Sequence, residues 1–359
     1  MSAPGVTSAP IPFSARVRER DALAARTFAL DPDAPAQLEA AIAAYHGCAH
    51  AIAFDTPSSA LEALLAPLKE ATIITDAMAP FHRSSALRRS GVRTRYADIG
   101  LDGVLMAAAV EKAIGTETDA VLFAHFGGIR SIAPEVPAAL TLLEDATGSL
   151  LPMKPSGSAV WSLAPLMPEG VSSTGFLLTD DDVIAQSARL FRRGGRQPGS
   201  LWNYDLPLRG ADCTLDLLAA AVALEQLQHL ETACERRREN SALLDEQLHS
   251  STLFDCMKRD PDDAPESYPI LLTPQLYCPK EDIYSSIRGE GIEAIVCCKP
   301  LYKTTAFKDE GVRLPVTEDF YKALLQLPCH HRLTTDEIRQ VAAAVQEATE
   351  KYAYRGCSF

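Results

Sequence analysis

Between Cys48 and Ser149 the chain alternates strand-like and helix-like runs, and this alternation constrains the fold more than any other feature of the sequence. Cys48–Phe54 reads as a strand, Asp55-Thr56-Pro57-Ser58-Ser59 as the turn into a helix, and Thr72–Thr75 as a second strand before a helix through Leu87. Val92–Tyr96, a helix over Val104–Ile114, Ala120–Ala124, a short helix near Pro137 and Leu142-Leu143 continue the pattern. Strand–helix–strand repeats build parallel sheets with helices on their faces. The predicted class is therefore α/β, with a large domain whose mostly parallel sheet lies between helices. Such sheets take ligands beyond the carboxyl ends of their strands, which singles out the loops Thr56–Ser59, His125–Gly128 and Asp145–Ser149.

Outside this region the signals are more local. Residues 1–33 read as an N-terminal arm, mobile at its Pro/Ser/Ala-rich start, with a short helix from Arg18. Asp33 is expected to cap a helix carrying Leu38, Ile42 and Tyr45 on one face, closed by Gly47. Gly210–Asn240 gives the strongest helix signal, with Leu215, Leu218, Val222, Leu227 and Leu230 in period and Arg236-Arg237-Arg238 further along. That helix is expected to bridge a large domain, 34–240, and a smaller C-terminal α/β domain, 241–359. In the latter, Tyr268–Leu272 and Ala294–Cys298 read as strands, and Lys280–Gly289 and the run from Thr334 as helices. Thr334 and Glu337 have the spacing of a capping box.

Charge and cysteine usage exclude several functions. A net charge of -13 argues against a nucleic-acid or anionic-membrane surface. The N-terminus lacks the pattern of an export signal and no apolar run is long enough to span a bilayer, so a cytoplasmic protein is expected. Nine cysteines, odd in number and irregularly spaced, read as free thiols, and no ligand spacing suggests a metal site.

The second strong constraint is Trp161–Asp182, WSLAPLMPEGVSSTGFLLTDDD. Strand-like Trp161-Ser162-Leu163 and Phe176–Thr179 flank a loop punctuated by Pro and Gly, and the acidic cluster opens a helix. This stretch resembles the lysine-bearing loop of the DegT/DnrJ/StrS family of pyridoxal-phosphate-dependent nucleotide-sugar aminotransferases. The family pattern is aromatic-Ser-Phe-His, two residues, Lys, a glycine turn and a strand. Ser162 falls on its serine, Ala164 on its histidine, Met167 on its lysine, and Ser172-Ser173-Thr174-Gly175 on its turn. Gly210–Asp216 and the helix after it, TyrProIleLeu at 268–271, LysProLeuTyr at 299–302, GluAspPheTyr at 318–321 and LeuProCysHis at 327–330 extend the resemblance over nearly the whole chain after the arm. Within the family, the C-terminal part looks most like the branch of pseudaminic acid biosynthesis.

The resemblance implies the pyridoxal-phosphate-dependent transferase fold of type I, a nucleotide-sugar ligand, and a homodimer whose pocket is built from two subunits. It also implies a former pyridoxal phosphate pocket in which Asp145 pairs with the pyridine nitrogen, Ser58, Ser59 and Ser162 hold the phosphate, and His125 lines the wall. Several pocket positions depart from the pattern. Pro57 replaces a glycine and removes an amide donor, Pro80 stands at the stacking aromatic, and Gly148, Asp212 and Thr214 replace a Gln or His, an Asn and an Arg. Plainer roles compete: Asp145 as a strand-end turn cap, Ser58 and Ser59 as helix N-caps, His125 as a packed histidine, and Cys297-Cys298 beside Lys299 as inert thiols.

Transamination needs an amine to hold the aldehyde as an imine and to shuttle a proton. The Met167 thioether does neither. The expectation is a degenerate homologue without transaminase activity, with no or only weakly bound pyridoxal phosphate and no metal. It would act as a sugar-nucleotide-binding or partner subunit in surface or secondary sugar biosynthesis, as a homodimer or with an active paralogue. The alternatives are an active sugar aminotransferase that recruits another lysine, such as Lys154 in the shortened link before Trp161, or a sugar-modifying enzyme with altered chemistry.

Overall fold

The computed structural model describes residues 10–16, 18, 19, 31–197, 205–248, 251–296 and 298–353. The start of the arm, most of its expected helix, and Cys297 lie outside the described residues.

A seven-stranded sheet forms the centre of the larger lobe. Its strands are β1 (His50–Phe54), β2 (Thr72–Thr75), β3 (Arg93–Tyr96), β4 (Thr118–Ala124), β5 (Thr141–Asp145), β6 (Ser158–Ser162) and β7 (Gly175–Thr179), in the order β1-β7-β6-β5-β4-β2-β3. The pairs β2–β3, β2–β4, β4–β5 and β5–β6 are parallel. Strand β7 runs antiparallel to both β6 and β1, so it alone opposes the rest.

Alternation along the strands divides the core into two layers. Ala51, Ala53, Trp161, Phe176 and Leu178 face helices α1 (Ala34–His46) and α6 (Leu217–Gln228), meeting Leu38, Ile42, Ala219 and Val222. Ile52, Phe54, Val160 and Leu177 face the other way, onto Leu61 and Leu65 of α2 (Pro57–Leu65) and Ala185 and Ala188 of α5 (Asp182–Phe191). Helices α3 (Phe81–Ser90) and α4 (Ala107–Ala113) complete the crossovers.

Helix α7 (Leu230–Leu248) carries the chain into the smaller lobe, where β8 (Phe254–Cys256), β9 (Ser267–Leu272) and β10 (Leu324–Pro328) form an antiparallel sheet in the order β10-β9-β8. Helices α8 (Lys280–Gly289) and α10 (Thr335–Lys351) cover it around Tyr268, Ile270, Ile287 and Val345, and α9 (Pro315–Ala323) leads into β10.

Four local expectations need correction. No helix forms near Pro137; Pro134 and Pro137 lack the amide donors a helix needs there, and only a turn from Leu140 N to Pro137 O closes. The helix expected over Gly210–Asn240 starts at Leu217, capped by Asp216, and breaks at His229 into α6 and α7. Among the described residues of Ala294–Cys298 no strand forms; Ile295 makes an isolated bridge to Gln326. Asp33 precedes α1, but its side chain makes no cap bond, and Asp31 Oδ1 instead accepts from the Asp33 amide at 2.9 Å.

Residues of the arm that are described tie the lobes together. Arg16 donates from Nε to the Met167 carbonyl at 3.0 Å and from its terminal nitrogen to the Val171 carbonyl at 3.2 Å. Glu19 is buried between His331, 3.0 Å away, and Arg332, 2.6 Å away. Among the described residues no helix is long and apolar enough to cross a membrane, and no group of three metal-ligating side chains converges.

Candidate functional site

The carboxyl ends of β2, β4 and β5 open into a cleft of about 840 Å³ closed on its far side by the smaller lobe. The three loops expected at the strand ends reach it: Pro57 from the first, His125 to Gly127 from the second, and Asp145, Thr147 and Gly148 from the third. Glu266, Ser267, Tyr321 and Gln326 line the opposite wall. Gly128 lets the lobes approach closely, since a Cβ there would lie 2.7 Å from Gly148 O and 2.8 Å from Glu266 N.

At the floor of the cleft Asp145 ends β5, buried to 3% exposure. Its Oδ1 accepts from Thr147 Oγ1 at 2.6 Å and Thr147 N at 3.2 Å. Its Oδ2 accepts from His82 Nε2 at 3.1 Å, and Arg83 Nε lies 3.6 Å away. Burial opposes ionisation of Asp145, but the positive charge and hydrogen bond offered by His82, the Arg83 charge and the Thr147 hydroxyl outweigh it and hold its carboxyl well below the usual range. Arg83 is itself buried and bidentate to Asp76, at 2.8 and 2.9 Å, with a third bond to the Met78 carbonyl. Two carboxylates, a guanidinium and an imidazole thus form one internal network. Across from it, burial pushes the Glu266 carboxyl up, with Arg237 opposing.

His82 and Arg83 carry this network, and sequence reasoning missed them. They follow Pro80-Phe81 at the start of α3, and a basic pair in a first helical turn, where the macrodipole favours acids, was the available signal.

The other residues predicted for a pocket are engaged locally. Ser162 is fully buried; its hydroxyl donates to Thr174 O at 2.7 Å and accepts from Ala164 N at 2.9 Å. Ser59 N bonds the Thr56 hydroxyl that caps α2, and the two hydroxyls lie 2.8 Å apart. Ser58 Oγ donates to the His82 carbonyl at 3.1 Å. None of these three serines is among the residues lining the cleft. His125 does line it, yet both ring nitrogens are used, Nε2 toward Glu144 at 2.7 Å and Nδ1 toward Ser131 N at 2.8 Å.

Met167 is fully buried in the apolar cluster with Trp161, Leu163 and Leu166, and Ala164 and Pro165 present the loop to the cleft instead. The loop's glycine-turn position Thr174 adopts φ 42°, unusual for a β-branched residue. Lys154 is exposed and pairs with Asp180 at 3.7 Å, away from the cleft. Lys299 is the one lysine among the lining residues and is exposed, while Cys298 beside it is half-buried.

These residues do not fit pyridoxal phosphate. Asp145 already receives its hydrogen bonds from His82 and Thr147. The hydroxyls of Ser58, Ser59 and Ser162 are spent on the protein's own groups, and Pro57 at the first position of α2 offers no amide to a phosphate.

Comparison with known proteins agrees with the fold. The profile of the DegT/DnrJ/EryC1/StrS aminotransferase family matches residues 18–346. A UDP-4-amino-4,6-dideoxy-N-acetyl-beta-L-altrosamine transaminase of Campylobacter jejuni is 27% identical over 338 residues, covering 88% of this chain and 89% of that one. The transaminase of the same name from Helicobacter pylori is 26% identical over 336 residues, with the same coverage of both chains. Among solved structures, Helicobacter pylori PseC, described as an aminotransferase involved in the biosynthesis of pseudoaminic acid, superposes with a TM-score of 0.80 at 23% identity, covering 96% of this chain and 99% of that one. The architecture is the predicted type I transferase fold. The chain belongs to the DegT/DnrJ/EryC1/StrS aminotransferase family.

Proposed function

We propose that this member of an aminotransferase family binds a nucleotide-linked sugar in its cleft without transaminating it, as a pseudoenzyme subunit of surface or secondary sugar biosynthesis. The observation that carries the reading is the engagement of Asp145 by His82 and Thr147, which sets an imidazole and a hydroxyl of the chain itself against the carboxylate a pyridinium nitrogen would need. The burial of Met167 in an apolar cluster, at the position the family resemblance gives to lysine, supports it. The names of the relatives support a UDP-sugar as the ligand class.

A homodimer, or a hetero-oligomer with an active paralogue, belongs to the same reading. Phe81 at the cleft wall is 93% exposed, and Ile295 beside the cleft is also exposed, a surface suited to a second subunit. The domain limits 34–240 and 241–359 and a cytoplasmic location are further parts of the proposal. The second reading, an active sugar aminotransferase, draws on one observation: Lys299 reaches the cleft.

Thermal unfolding with UDP-4-amino-4,6-dideoxy-N-acetyl-β-L-altrosamine, UDP-N-acetylglucosamine and free UDP tests the binding. Ligand at a hundred times its dissociation constant stabilises the fold by about 2.7 kcal/mol, a rise of several degrees. The sugar nucleotides should raise the midpoint and transfer no amino group. No shift with any of them removes this reading.

A further inference from the structure

The two oxygens of Asp145 are not equivalent, and the difference points to a particular role for His82. Oδ1 is held within its own turn by the amide and hydroxyl of Thr147, at 3.2 and 2.6 Å, while His82 Nε2 lies 3.4 Å from it and 2.8 Å from the Thr147 hydroxyl. Oδ2 has its hydrogen bond from His82 Nε2 at 3.1 Å; Arg83 Nε, at 3.6 Å, is beyond bonding reach. His82 lines the cleft with its side chain 23% exposed. Its carbonyl accepts from Ser58 Oγ, which ties the first turn of α3 to the turn opening α2. A planar nitrogen heterocycle of the protein itself therefore stands against the buried carboxylate, N–H toward oxygen, and its backbone is anchored.

We propose that His82 is a built-in substitute for a cofactor ring: its imidazole fills the place at Asp145 and keeps the cleft closed to pyridoxal phosphate even where an amine is restored at position 167. Two rings cannot share one volume, so a bound pyridine must first displace the imidazole and break its bond to Oδ2. Arg83 lessens the remaining incentive, because its single charge, paired bidentately with Asp76, also lies 3.6 Å from Asp145 Oδ2. Restoring the lysine alone leaves both obstacles in place. The inference rests on the non-transaminating reading and explains why that state does not depend on one substitution.

The test uses 4-deoxypyridoxine 5′-phosphate, which has the ring and phosphate but no aldehyde and so needs no lysine, followed by pyridoxal phosphate itself. Equilibrium dialysis of the first against the full chain should show at least tenfold tighter binding to His82→Ala than to wild type. His82→Gln, which keeps an N–H toward Asp145, should stay within about twofold of wild type. With pyridoxal phosphate, Met167→Lys should form no imine absorbance, and Met167→Lys/His82→Ala should form it. An imine in Met167→Lys with His82 intact overturns the inference, and this arm holds even if His82→Ala does not fold. A folded His82→Ala protein, verified by its cooperative melt, that gains no affinity also overturns it. Failure of the wild-type protein to bind sugar nucleotides would instead strike the functional reading and leave these outcomes unchanged.

Discussion

His82 Nε2 and Asp145 Oδ2 meet at 3.1 Å on the floor of the cleft, where the first turn of α3 crosses the carboxyl end of β5. The relationship joins two elements far apart in sequence and engages a strand-end carboxylate from within the chain. The proposed loss of transamination rests on the state of this site rather than on the fold.

The stability of that floor should depend on Arg83. Its guanidinium is buried and bidentate to Asp76, and removing one partner of a buried pair leaves the other uncompensated. Asp76→Asn should lower the unfolding free energy by about 3 kcal/mol, read from urea midpoints at unchanged slope. A loss below about 1 kcal/mol would show that the pair carries little.

Acid should weaken the fold in two stages. Burial holds His46 neutral, pushing it down to about 4 against the Met153 carbonyl, and holds His330 down to about 3 against the Pro12 carbonyl. The unfolded chain, with histidines near 6.5, binds more protons, so stability present at pH 7 falls as pH drops through about 6.5 toward 4 and 3. His46 alone accounts for on the order of 3 kcal/mol. Burial opposes ionisation of Glu19, but the bonds and charges of His331 and Arg332 outweigh it and bring its carboxyl to about 2. Its contribution is present above the unfolded value near 4.5 and is lost as pH falls through about 2. His46→Gln should make the fall of melting temperature between pH 6.5 and 4 less steep, His330 supplying the slope that remains; a wild-type curve already flat there contradicts the assignment.

Thr174 should be a site where a smaller residue helps. It holds φ 42° with a fully buried hydroxyl that has no hydrogen-bond partner among the described residues. Thr174→Gly relieves the left-handed strain and removes the orphan group, for an expected gain of about 1 kcal/mol and a rise of a few degrees at most. A lower melting temperature would mean that the side chain's packing outweighs its strain.

Local signals in the sequence carried much of this architecture, and long-range ones did not. Helix α8, Lys280–Gly289, and the αL Gly47 closing α1 follow from periodicity and punctuation within a few residues. The break at His229 leaves no such mark, since LeuGlnHisLeu contains neither Gly nor Pro; beyond it α7 runs from the core it shares with α6, at Leu230, Ala233 and Cys234, to the smaller lobe's core at Leu244 and Leu248. The direction of β7 depends on the crossover, not on its own alternation. Asp145 was legible as a strand-end acid. Its partner was not, because the meeting of residues 82 and 145 exists only once β5 and α3 are placed together.

The capping box at the start of α10 offers a clean local check. Thr334 Oγ1 accepts from Glu337 N at 3.2 Å, and Glu337 Oε2 accepts from Thr334 N at 2.9 Å. Thr334→Ala should cost about 1 kcal/mol, measured by chemical unfolding, with no change in ligand affinity because the cap is not part of the cleft. A change in affinity would contradict that separation.

The central claim is that this cleft holds no Schiff base. The most direct measurement is to mix the wild-type chain with pyridoxal phosphate, record the visible spectrum, reduce with borohydride and map the peptides. The expected result is no imine band and no pyridoxyl mark concentrated on any one lysine. A stable band with one lysine labelled in full, Lys299 above all, would contradict the claim and make the chain an aminotransferase with a relocated amine.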